Sequence, residues 1–477
     1  MESKHASAEL LGNLDRAKAL RERGDELYRV RRIAAAQRAF EAGAAVSRDP
    51  TAFAERRWMC AMLRGDFERA WRIGDDILRR RKGLSAAHLP RHLRWVWDGR
   101  DFVDRDVLVS CNHGLGDTLQ FIRFVPCLAE RTRSVTVEAQ PELLPLLASV
   151  PGISRLVPLG GATSSSEVAM EVMELPHALR VTLASLPSRM PYLTSTSANN
   201  SAARCADRTV GLVWTAGGWR PERSVPFRLL EPLAAVPGIK LISLQQGEAV
   251  RDLERSPLGT LIAQPANGKA NILTTVELIR QLDLVLTVDT MMAHLAGALG
   301  AAVWTMLDSH ADWRWMLDRA DSPWYPTMRL FRQRRSGDWP PVIDEVVRAL
   351  RLLHHTPALE QRRARGVACG RRRADMATTK VTTDHQVIRE WAQERGGKPA
   401  AVRSTHRGKD AGILRLEFPG APHADDESLE EISWDEWLAK FDDAELALLY
   451  EDKTAAGKKS NFNKLVKREA VEGGADR

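Results

Sequence analysis

Apolar positions in the first part of the chain recur at three- and four-residue spacing, which is typical of amphipathic helices. This pattern covers residues 14–81, a stretch rich in strong helix formers. From Asp106 onward it changes to short, nearly continuous apolar runs separated by helical stretches. Such runs predict parallel sheets that helices cover on both faces. The predicted strands are residues 107–110, 135–138, 154–159, 210–214, 240–244, 284–288 and 303–307.

An internal repeat marks the helical segment. Ala36 and Phe40 are four residues apart, as are Ala70 and Gly74, and the two pairs are separated by 34 residues. This is the period of the tetratricopeptide repeat. The match is partial, because Trp58 replaces a glycine of the first copy, and an unrelated helical hairpin is the alternative. In either case we expect a packing or partner surface, since fewer than three repeats rarely stand alone.

Breaks in the pattern divide the chain into five parts. A small, polar stretch at residues 195–207 predicts the connection between two Rossmann-like halves. The composition restarts at Met376, after which residues 384–395 and 433–441 predict helices and residues 412–418 and 446–451 predict strands. The predicted fold class is therefore α/β, with a helical segment before it and a small α+β domain after it. The parts are a tetratricopeptide-like segment (1–100), a first Rossmann-like domain (101–200), a second one (205–355), an arginine-rich linker (356–380) and the small domain (381–470).

Composition narrows the class of protein. Apolar residues at 44% and charged residues at 27% match soluble globular proteins. No run approaches the roughly 18 to 20 apolar residues of a membrane span, and the charged N-terminus lacks the apolar core of a secretory signal. We therefore expect a cytoplasmic protein. The five cysteines are scattered without CxxC spacing, which argues against a disulfide framework and against a zinc site.

The net charge of +7 is unevenly distributed. Six arginines fall within residues 361–373, whereas residues 425–445 hold ten acidic residues and one lysine. A charge run of this kind is usually solvated chain, so an anionic substrate is favoured over nucleic acid. A nucleic-acid protein acting through the linker and the last domain is kept as a third class of function.

The first candidate cluster follows the strand at residues 107–110. Gly114 and Gly116 permit a tight turn before a helix predicted to begin at Asp117 or Thr118. The helix N-terminus offers unpaired N–H groups to an anion. A carboxylate at Asp117 is instead suited to take a proton from a hydroxyl as a general base. The alternative is that Asp117 only caps the helix.

The second cluster follows the strand at residues 284–288. Asp289 and Thr290 lie at its carboxyl end, where open α/β sheets bind ligands, and the next helix points its N-terminus there. His294 lies one turn after Thr290 and faces the same way. Gly297 would let this helix approach the sheet or a ligand closely. The alternative is a core histidine at His294 and a simple cap at Asp289.

A third set lies beyond two strands of the second half. Thr215, Arg223 and Ser224 are candidates for binding phosphate oxygens, and Gln246 and Glu248 for holding a ribose or sugar hydroxyl. The alternative is ordinary surface loop. Tryptophans are also abundant here, and we expect most of them in the core, with some available to stack on a base or sugar. Those of the tail of the second half are Trp313, Trp315, Trp324 and Trp339.

Residues 106–353 resemble glycosyltransferase family 9, the ADP-heptose:lipopolysaccharide heptosyltransferases, and in particular its tetratricopeptide-linked members. Thr118 and Gln120 belong to the first of the matching motifs and are counted with the substrate-binding residues. The matching stretches are Gly-Leu-Gly-Asp-Thr-Leu-Gln-Phe at 114–121, Ser-Leu-Gln-Gln-Gly-Glu at 243–248, Val-Asp-Thr-Met-Met-Ala-His-Leu-Ala-Gly at 288–297, Asp-Trp-Arg-Trp at 312–315 and residues 324–332.

The resemblance implies a GT-B fold, with the acceptor bound by the first half and the nucleotide sugar by the second. It implies that Asp117 is the base of an inverting transfer, that residues 289–297 hold the donor, and that no metal or other cofactor is needed. The chain departs from the family at Asn112, at His113 and in the loop at 215–220, and it lacks the usual lysine near the phosphates, for which Arg223 is a substitute. These departures leave the sugar and the acceptor undefined.

The sequence thus predicts an enzyme that transfers a heptose or other hexose-like sugar from a nucleotide-diphosphate donor to a hydroxyl acceptor. The acceptor is a glycan, a lipid-linked molecule or a protein. The competing hypothesis is a catalytically silent scaffold that acts as an adaptor through its helical and terminal domains. The last domain resembles small bacterial domains for which we know no function, and an interaction role is expected for it.

Overall fold

The computed structural model describes residues 2–84, 88–90, 95–161, 166–194, 207–218, 220–265, 271–355, 380–402, 414–418, 429–450 and 463–468. The chain separates into two compact units, Met1–Gly370 and Arg371–Arg477. Each unit is treated by itself. Apart from Asp207 and Lys380, the predicted connection at 195–207 and the arginine-rich linker at 356–380 lie outside the described residues.

Four α-helices precede the first strand among the residues that the structure describes. A side chain at Gly24 would place its Cβ 2.4 Å from the ring of Phe40, so the glycine lets the first two helices cross closely. Asp66 caps the fourth helix by accepting a hydrogen bond from the N–H of Arg69. Ala36, Phe40 and Ala70, which belong to the predicted repeat, are fully buried. The helices are α1 Glu2–Arg29, α2 Ile33–Val46, α3 Ala54–Leu63 and α4 Phe67–Arg81.

The first parallel sheet has the strand order β3-β2-β1-β4. Its first three strands cover the three strands predicted in this half. β4 was not predicted, because a four-residue Val-Ala-Met-Glu segment is too short to show a pattern. The strands are β1 Asp106–Ser110, β2 Ser134–Ala139, β3 Arg155–Pro158 and β4 Val168–Glu171.

The second parallel sheet has the order β10-β9-β8-β5-β6-β7. Read from β7, this is the 3-2-1-4-5-6 order of dinucleotide-binding sheets. The four predicted strands are present, whereas the two edge strands, β7 and β10, were missed. The strands are β5 Arg208–Val213, β6 Ile239–Ser243, β7 Ile262–Ala263, β8 Leu284–Val288, β9 Val303–Leu307 and β10 Met328–Arg332.

Both sheets share one topological feature. In each, the chain runs outward from the first strand and then crosses to its other side, between β1 and β4 in the first sheet and between β5 and β8 in the second. Ligands of open α/β sheets bind at the carboxyl ends of the strands beside such a switch point. The fold therefore provides two candidate ligand positions.

Helices connect the strands of both sheets. The helix predicted to begin at Asp117 or Thr118 begins at Leu115, because Gly114 is its N-cap and Asp117 lies within its first turn. The helices are α5 Leu115–Phe121, α6 Val125–Ala129, α7 Leu144–Leu147, α8 Leu175–Ala178, α9 Glu231–Ala234, α10 Arg251–Arg255, α11 Ile272–Gln281, α12 Met291–Ala298 and α13 Pro340–His355.

The apolar core of this unit extends from the helical segment into both sheets. Trp58 of α3 packs edge-to-face on Trp313 at 5.4 Å between ring centroids, and Phe67 of α4 packs on Trp324 at 5.8 Å. The sequence did not predict this packing of the helical segment on the tail of the second half. Among the described helices, none combines the length and apolar composition that crossing a bilayer requires.

In its described residues, the second unit contains two helices and two antiparallel three-stranded sheets. The two predicted helices are present, and Ser433 caps the second by accepting a hydrogen bond from the N–H of Glu436. Trp391, Trp437 and Phe441 form much of its core. The elements are β11 Lys380–Thr382, α14 His385–Gln393, β12 Lys398–Val402, β13 Leu414–Glu417, β14 Leu429–Glu431, α15 Trp434–Asp443, β15 Leu446–Tyr450 and β16 Asn463–Lys467.

Candidate functional site

A cavity of about 860 Å³ lies at the switch point of the second sheet and is closed on one side by the glycine loop after β1. We call it the central cavity. It brings together eleven of the fourteen residues that the sequence singled out, from five separate stretches of chain. These eleven are Gly114, Gly116, Asp117, Thr215, Arg223, Ser224, Gln246, Glu248, Asp289, Thr290 and His294.

The glycine loop brings the first turns of two helices, α5 and α12, together. Asp117 Oδ2 accepts a hydrogen bond of 3.0 Å from the N–H of Gly114, which closes the first turn of α5. A side chain at Gly116 would place its Cβ 3.0 Å from the ring of His294 and 3.4 Å from Met291 Cα. Gly116 is therefore needed for close approach.

The carboxylate of Asp117 is paired with a buried arginine. Arg314 Nη2 donates to Asp117 Oδ1 at 2.6 Å, and Nη1 donates to Asp312 Oδ1 at 2.7 Å. Burial by itself would lower the pKa of Arg314, but Asp312 and Asp117 raise it above its ordinary value. Arg314 is thus a fixed cation beside the candidate base. From the sequence, this arginine was identified only as part of the Asp-Trp-Arg-Trp motif, and no role was predicted for it.

Asp289 directly follows β8, lines the central cavity and is buried. Burial raises the pKa of this carboxyl to about 6, although the guanidinium of Arg223 opposes the shift. Arg223 Nη1 lies 3.8 Å from Asp289 Oδ2. The Nε of Arg223 is buried and makes no hydrogen bond within the described part of the chain. A buried donor of this kind normally has a partner, so an anionic ligand would satisfy it.

Thr290, and not Asp289, caps α12: its Oγ1 accepts a hydrogen bond of 3.2 Å from the N–H of Met292. His294 lies one turn further. Its Nδ1 is 2.9 Å from the hydroxyl of Tyr325, and its ring stacks on Trp315 at 5.3 Å. Burial lowers the pKa of His294 well below its ordinary value, so the ring is neutral near pH 7. A neutral imidazole can donate one hydrogen bond to a ligand without carrying a charge.

Two loops of the second half complete the wall. Gln245 Oε1 accepts hydrogen bonds from the N–H groups of Trp214 and Thr215 at 3.1 and 3.0 Å, so it holds the loops after β5 and β6 together. Ser224 Oγ accepts from the N–H of Ala216 at 3.0 Å. The sequence predicted a binding role for the neighbouring Gln246 and no role for Gln245. Adjacent identical side chains cannot be told apart without the loop geometry.

Three predicted site residues do not line the central cavity. Thr118 donates its hydroxyl to Gln140 Oε1 at 2.9 Å, and Gln120 is fully buried. At Gly297 an added Cβ would lie 2.5 Å from the ring of Tyr325, so the glycine makes room for that ring and not for a ligand or the sheet. All three lie beyond the first turn of their helix, which faces the cavity. Their side chains or, at Gly297, the space beside the backbone therefore contact neighbouring elements of the fold.

The raised pKa of Asp289 predicts how stability depends on pH. Between about pH 4 and pH 6 the folded protein binds more protons than the unfolded chain, so the free energy of unfolding falls as pH rises through this window. Asp289→Asn removes the ionisation. From pH 4 to pH 8, we expect the free energy of unfolding of the variant to increase by about 2–3 kcal/mol relative to that of the wild type, at roughly 1.4 kcal/mol per unit of pKa shift. Urea unfolding of the ligand-free protein at both pH values measures this.

Asp344→Asn is the control, because Asp344 is an aspartate that lies exposed on α13. Its effect on the free energy of unfolding should be the same at pH 4 and pH 8. An equal effect of Asp289→Asn at the two pH values would contradict a buried, weakly acidic Asp289.

In the described residues, no group of three or more His, Cys, Asp or Glu side chains is arranged to hold a metal ion. The charged groups around the central cavity are instead the arginines and carboxylates described above.

The chain matches no family model. Protein FlbA of Caulobacter vibrioides is 25% identical over 292 residues, a match that covers 54% of this chain and 48% of FlbA. The chain thus spans about half the length of this curated relative.

Two solved structures are similar over about half of the chain. A glycosyltransferase of family 9 from Veillonella parvula shares 13% identity with a TM-score of 0.40, covering 54% of this chain and 98% of that structure. The ADP-heptose lipopolysaccharide heptosyltransferase II of E. coli shares 13% identity with a TM-score of 0.38, covering 53% of this chain and all of that structure. These likenesses are distant, and membership of the family stays a proposal.

Proposed function

We propose that the protein is a GT-B glycosyltransferase of the family 9 type, which transfers a sugar from a nucleotide-diphosphate sugar to a hydroxyl acceptor. One observation carries the proposal. The central cavity is lined by the carboxylate of Asp117, from the first half, and by the first turn of α12 and the half-buried Arg223 of the second half. A base thus faces an anion-binding wall across a space large enough for an extended ligand.

The anion-binding wall suits a diphosphate. The first turn of α12 presents the positive end of its dipole. Arg223 adds a cation with an unpartnered buried N–H, and neutral His294 adds a further donor. Thr215, Ser224, Gln246 and Glu248 also line the cavity. We assign the first two to the phosphate oxygens and the last two to ribose or sugar hydroxyls.

The proposed reaction is an inverting displacement. Asp117 takes the proton of the acceptor hydroxyl, whose oxygen attacks the anomeric carbon while the bond from that carbon to the diphosphate breaks. The nucleoside diphosphate leaves with the bonding electron pair. Its developing charge is stabilised by Arg223 and the α12 N-terminus, so the proposed reaction uses neither a metal nor another cofactor. Arg314 holds the carboxylate of Asp117 in a fixed orientation through the hydrogen bond of 2.6 Å.

A second function is favoured by the same pair. Both carboxylate oxygens of Asp117 already accept hydrogen bonds, from Arg314 Nη2 at 2.6 Å and from the N–H of Gly114 at 3.0 Å, as expected for a scaffold that has lost catalysis. In that reading the tetratricopeptide-like helices and the C-terminal unit act as an adaptor, and the central cavity binds a ligand without turning it over. Donor binding and turnover separate the two functions.

The test is a calorimetric titration of the purified full chain with ADP-, GDP-, UDP- and dTDP-sugars. We expect one nucleotide class to bind, and Arg223→Gln and His294→Ala each to weaken binding by about tenfold or more, since each removes a hydrogen bond to the diphosphate. Arg228→Gln is the control, because Arg228 is an exposed arginine five residues along the same stretch. Failure of every donor to bind would overturn the transferase and favour the adaptor.

A further inference from the structure

A second cavity of about 410 Å³ lies where the helical segment meets the first sheet and the tail of the second half. We call it the tryptophan cleft. Five indoles line it, from α3, α4, the segment after α4 and the tail. Trp58 and Trp95 are half-buried, whereas the other three are buried. The five are Trp58, Trp71, Trp95, Trp313 and Trp324.

The tryptophan cleft lies at the switch point of the first sheet. His113, which follows β1, and Glu171, which ends β4, both line it. The central cavity occupies the equivalent position of the second sheet. The fold therefore offers one ligand position for each sheet, and the tryptophan cleft is the one that the donor leaves unused.

The two cavities are separated by the Asp117–Arg314 pair. Arg314 Nη2, which binds Asp117, lies 3.9 Å from the sulfur of Met173, and the guanidinium lies 4.5 Å from the ring of Trp313. Met173 and Trp313 line the tryptophan cleft, whereas Asp117 and Arg314 line the central cavity. A molecule in the tryptophan cleft would therefore end beside the candidate base.

The charges of the tryptophan cleft are internally matched. His113 Nδ1 lies 2.9 Å from Glu171 Oε1, and Glu174 accepts a hydrogen bond of 2.9 Å from the N–H of Trp97. The guanidinium of Arg81 lies over the ring of Trp95 at 4.3 Å. Since acidic side chains are as many as basic ones in its lining, the cleft offers no cluster of cations to a phosphorylated ligand. Its aromatic walls and scattered polar groups suit a neutral ligand with one apolar face.

We propose that the tryptophan cleft is the acceptor subsite and that it takes a neutral pyranose ring of a glycan. The C–H face of a pyranose buries apolar surface against an indole, while its hydroxyls reach the polar groups between the tryptophans. This inference rests on the proposed function. It assigns the helical segment a direct part in substrate binding, because Trp58 and Trp71 belong to α3 and α4.

The test is saturation-transfer-difference NMR of the full chain with methyl pyranosides of glucose, galactose and mannose, and with glucose 6-phosphate as the anionic comparison. We expect at least one methyl pyranoside to receive saturation on its ring C–H protons. Trp58→Leu and Trp95→Leu should each weaken its binding by about tenfold, as expected when an aromatic stacking partner is lost. Trp434→Leu is the matched control, because Trp434 is a half-buried tryptophan of the C-terminal unit.

The proposal is overturned by the absence of saturation of any neutral pyranoside, or by equal saturation with all three variants. Binding of glucose 6-phosphate alone also overturns it, since the cleft would then select for charge. Donor titration of the same variants separates this failure from failure of the transferase. A donor that binds Trp58→Leu and wild type alike, while no pyranoside binds either, leaves the central cavity as proposed and removes only the acceptor subsite. Two leucine variants are used so that a folding defect in one does not decide the outcome.

Discussion

Asp117→Asn is expected to lower the rate of sugar transfer by about 10²–10⁴-fold and to leave donor affinity within about twofold, because a general base contributes to the reaction and not to donor binding. The amide cannot accept the acceptor's proton, but its oxygen can still accept the hydrogen bond from Arg314. The measurement is the steady-state transfer rate with the donor found by calorimetry, together with that donor's dissociation constant for the variant.

Asp321→Asn is the control for Asp117→Asn. Asp321 is also an aspartate bound by an arginine, at 2.7 Å from Arg319 Nη2, but it is largely exposed and lies outside the central cavity. Its transfer rate should equal that of the wild type. Transfer by Asp117→Asn at the wild-type rate would contradict the role of Asp117. Transfer by neither wild type nor variant, with the donor bound to both, would support the silent adaptor.

Arg314→Met is expected to lower the free energy of unfolding by about 3–5 kcal/mol, since it removes the cation of a buried ion-pair group. Asp117 and Asp312 would remain without their partner, and buried Asp289 would lose a nearby positive charge. Methionine keeps much of the apolar contact with Trp313. The measurement is urea unfolding of the full chain, followed by the fluorescence of its tryptophans.

Arg133→Met is the matched control for Arg314→Met. Arg133 also binds two carboxylates, Asp106 at 3.1 Å and Glu167 at 3.0 Å, but its side chain is 60% exposed. Exposed pairs stabilise by less than about 1 kcal/mol. A similar loss for the two variants would show that burial of Arg314 has no energetic consequence. In the double variant Arg314→Met/Asp117→Asn, part of the loss should be recovered, because one uncompensated carboxylate is removed.

Many features of the candidate site could be predicted from the sequence because they depend on local pattern. An apolar strand followed by Asp289 and Thr290, or by Gly114 and Gly116, places these residues at the carboxyl end of a parallel strand wherever the sheet lies. The same rule predicted that the two clusters share one kind of position. Of the residues deeper in the same helices, Gln120 was assigned to the site by its motif and Gly297 by the close approach that a glycine allows. Both lie in the packing between elements.

Other features depend on contacts between segments far apart in the chain. Arg314 binds Asp117 across 197 positions, and no local pattern around either residue indicates the other. The edge strands β7 and β10 were missed because their short or charged segments lack a continuous apolar run. These two segments form strands because the tertiary structure places them beside neighbouring strands of the sheet.

The sequence by itself determined the succession of elements: helices first, then two sets of parallel strands, then a separate mixed unit. It did so because side-chain periodicity follows from backbone geometry alone. Only the tertiary structure decided which ends of those elements meet. The Arg314–Asp117 pair, the tryptophan cleft and the packing of α3 and α4 on the tail arise from burial of surfaces far apart in sequence, and burial is a property of the whole fold.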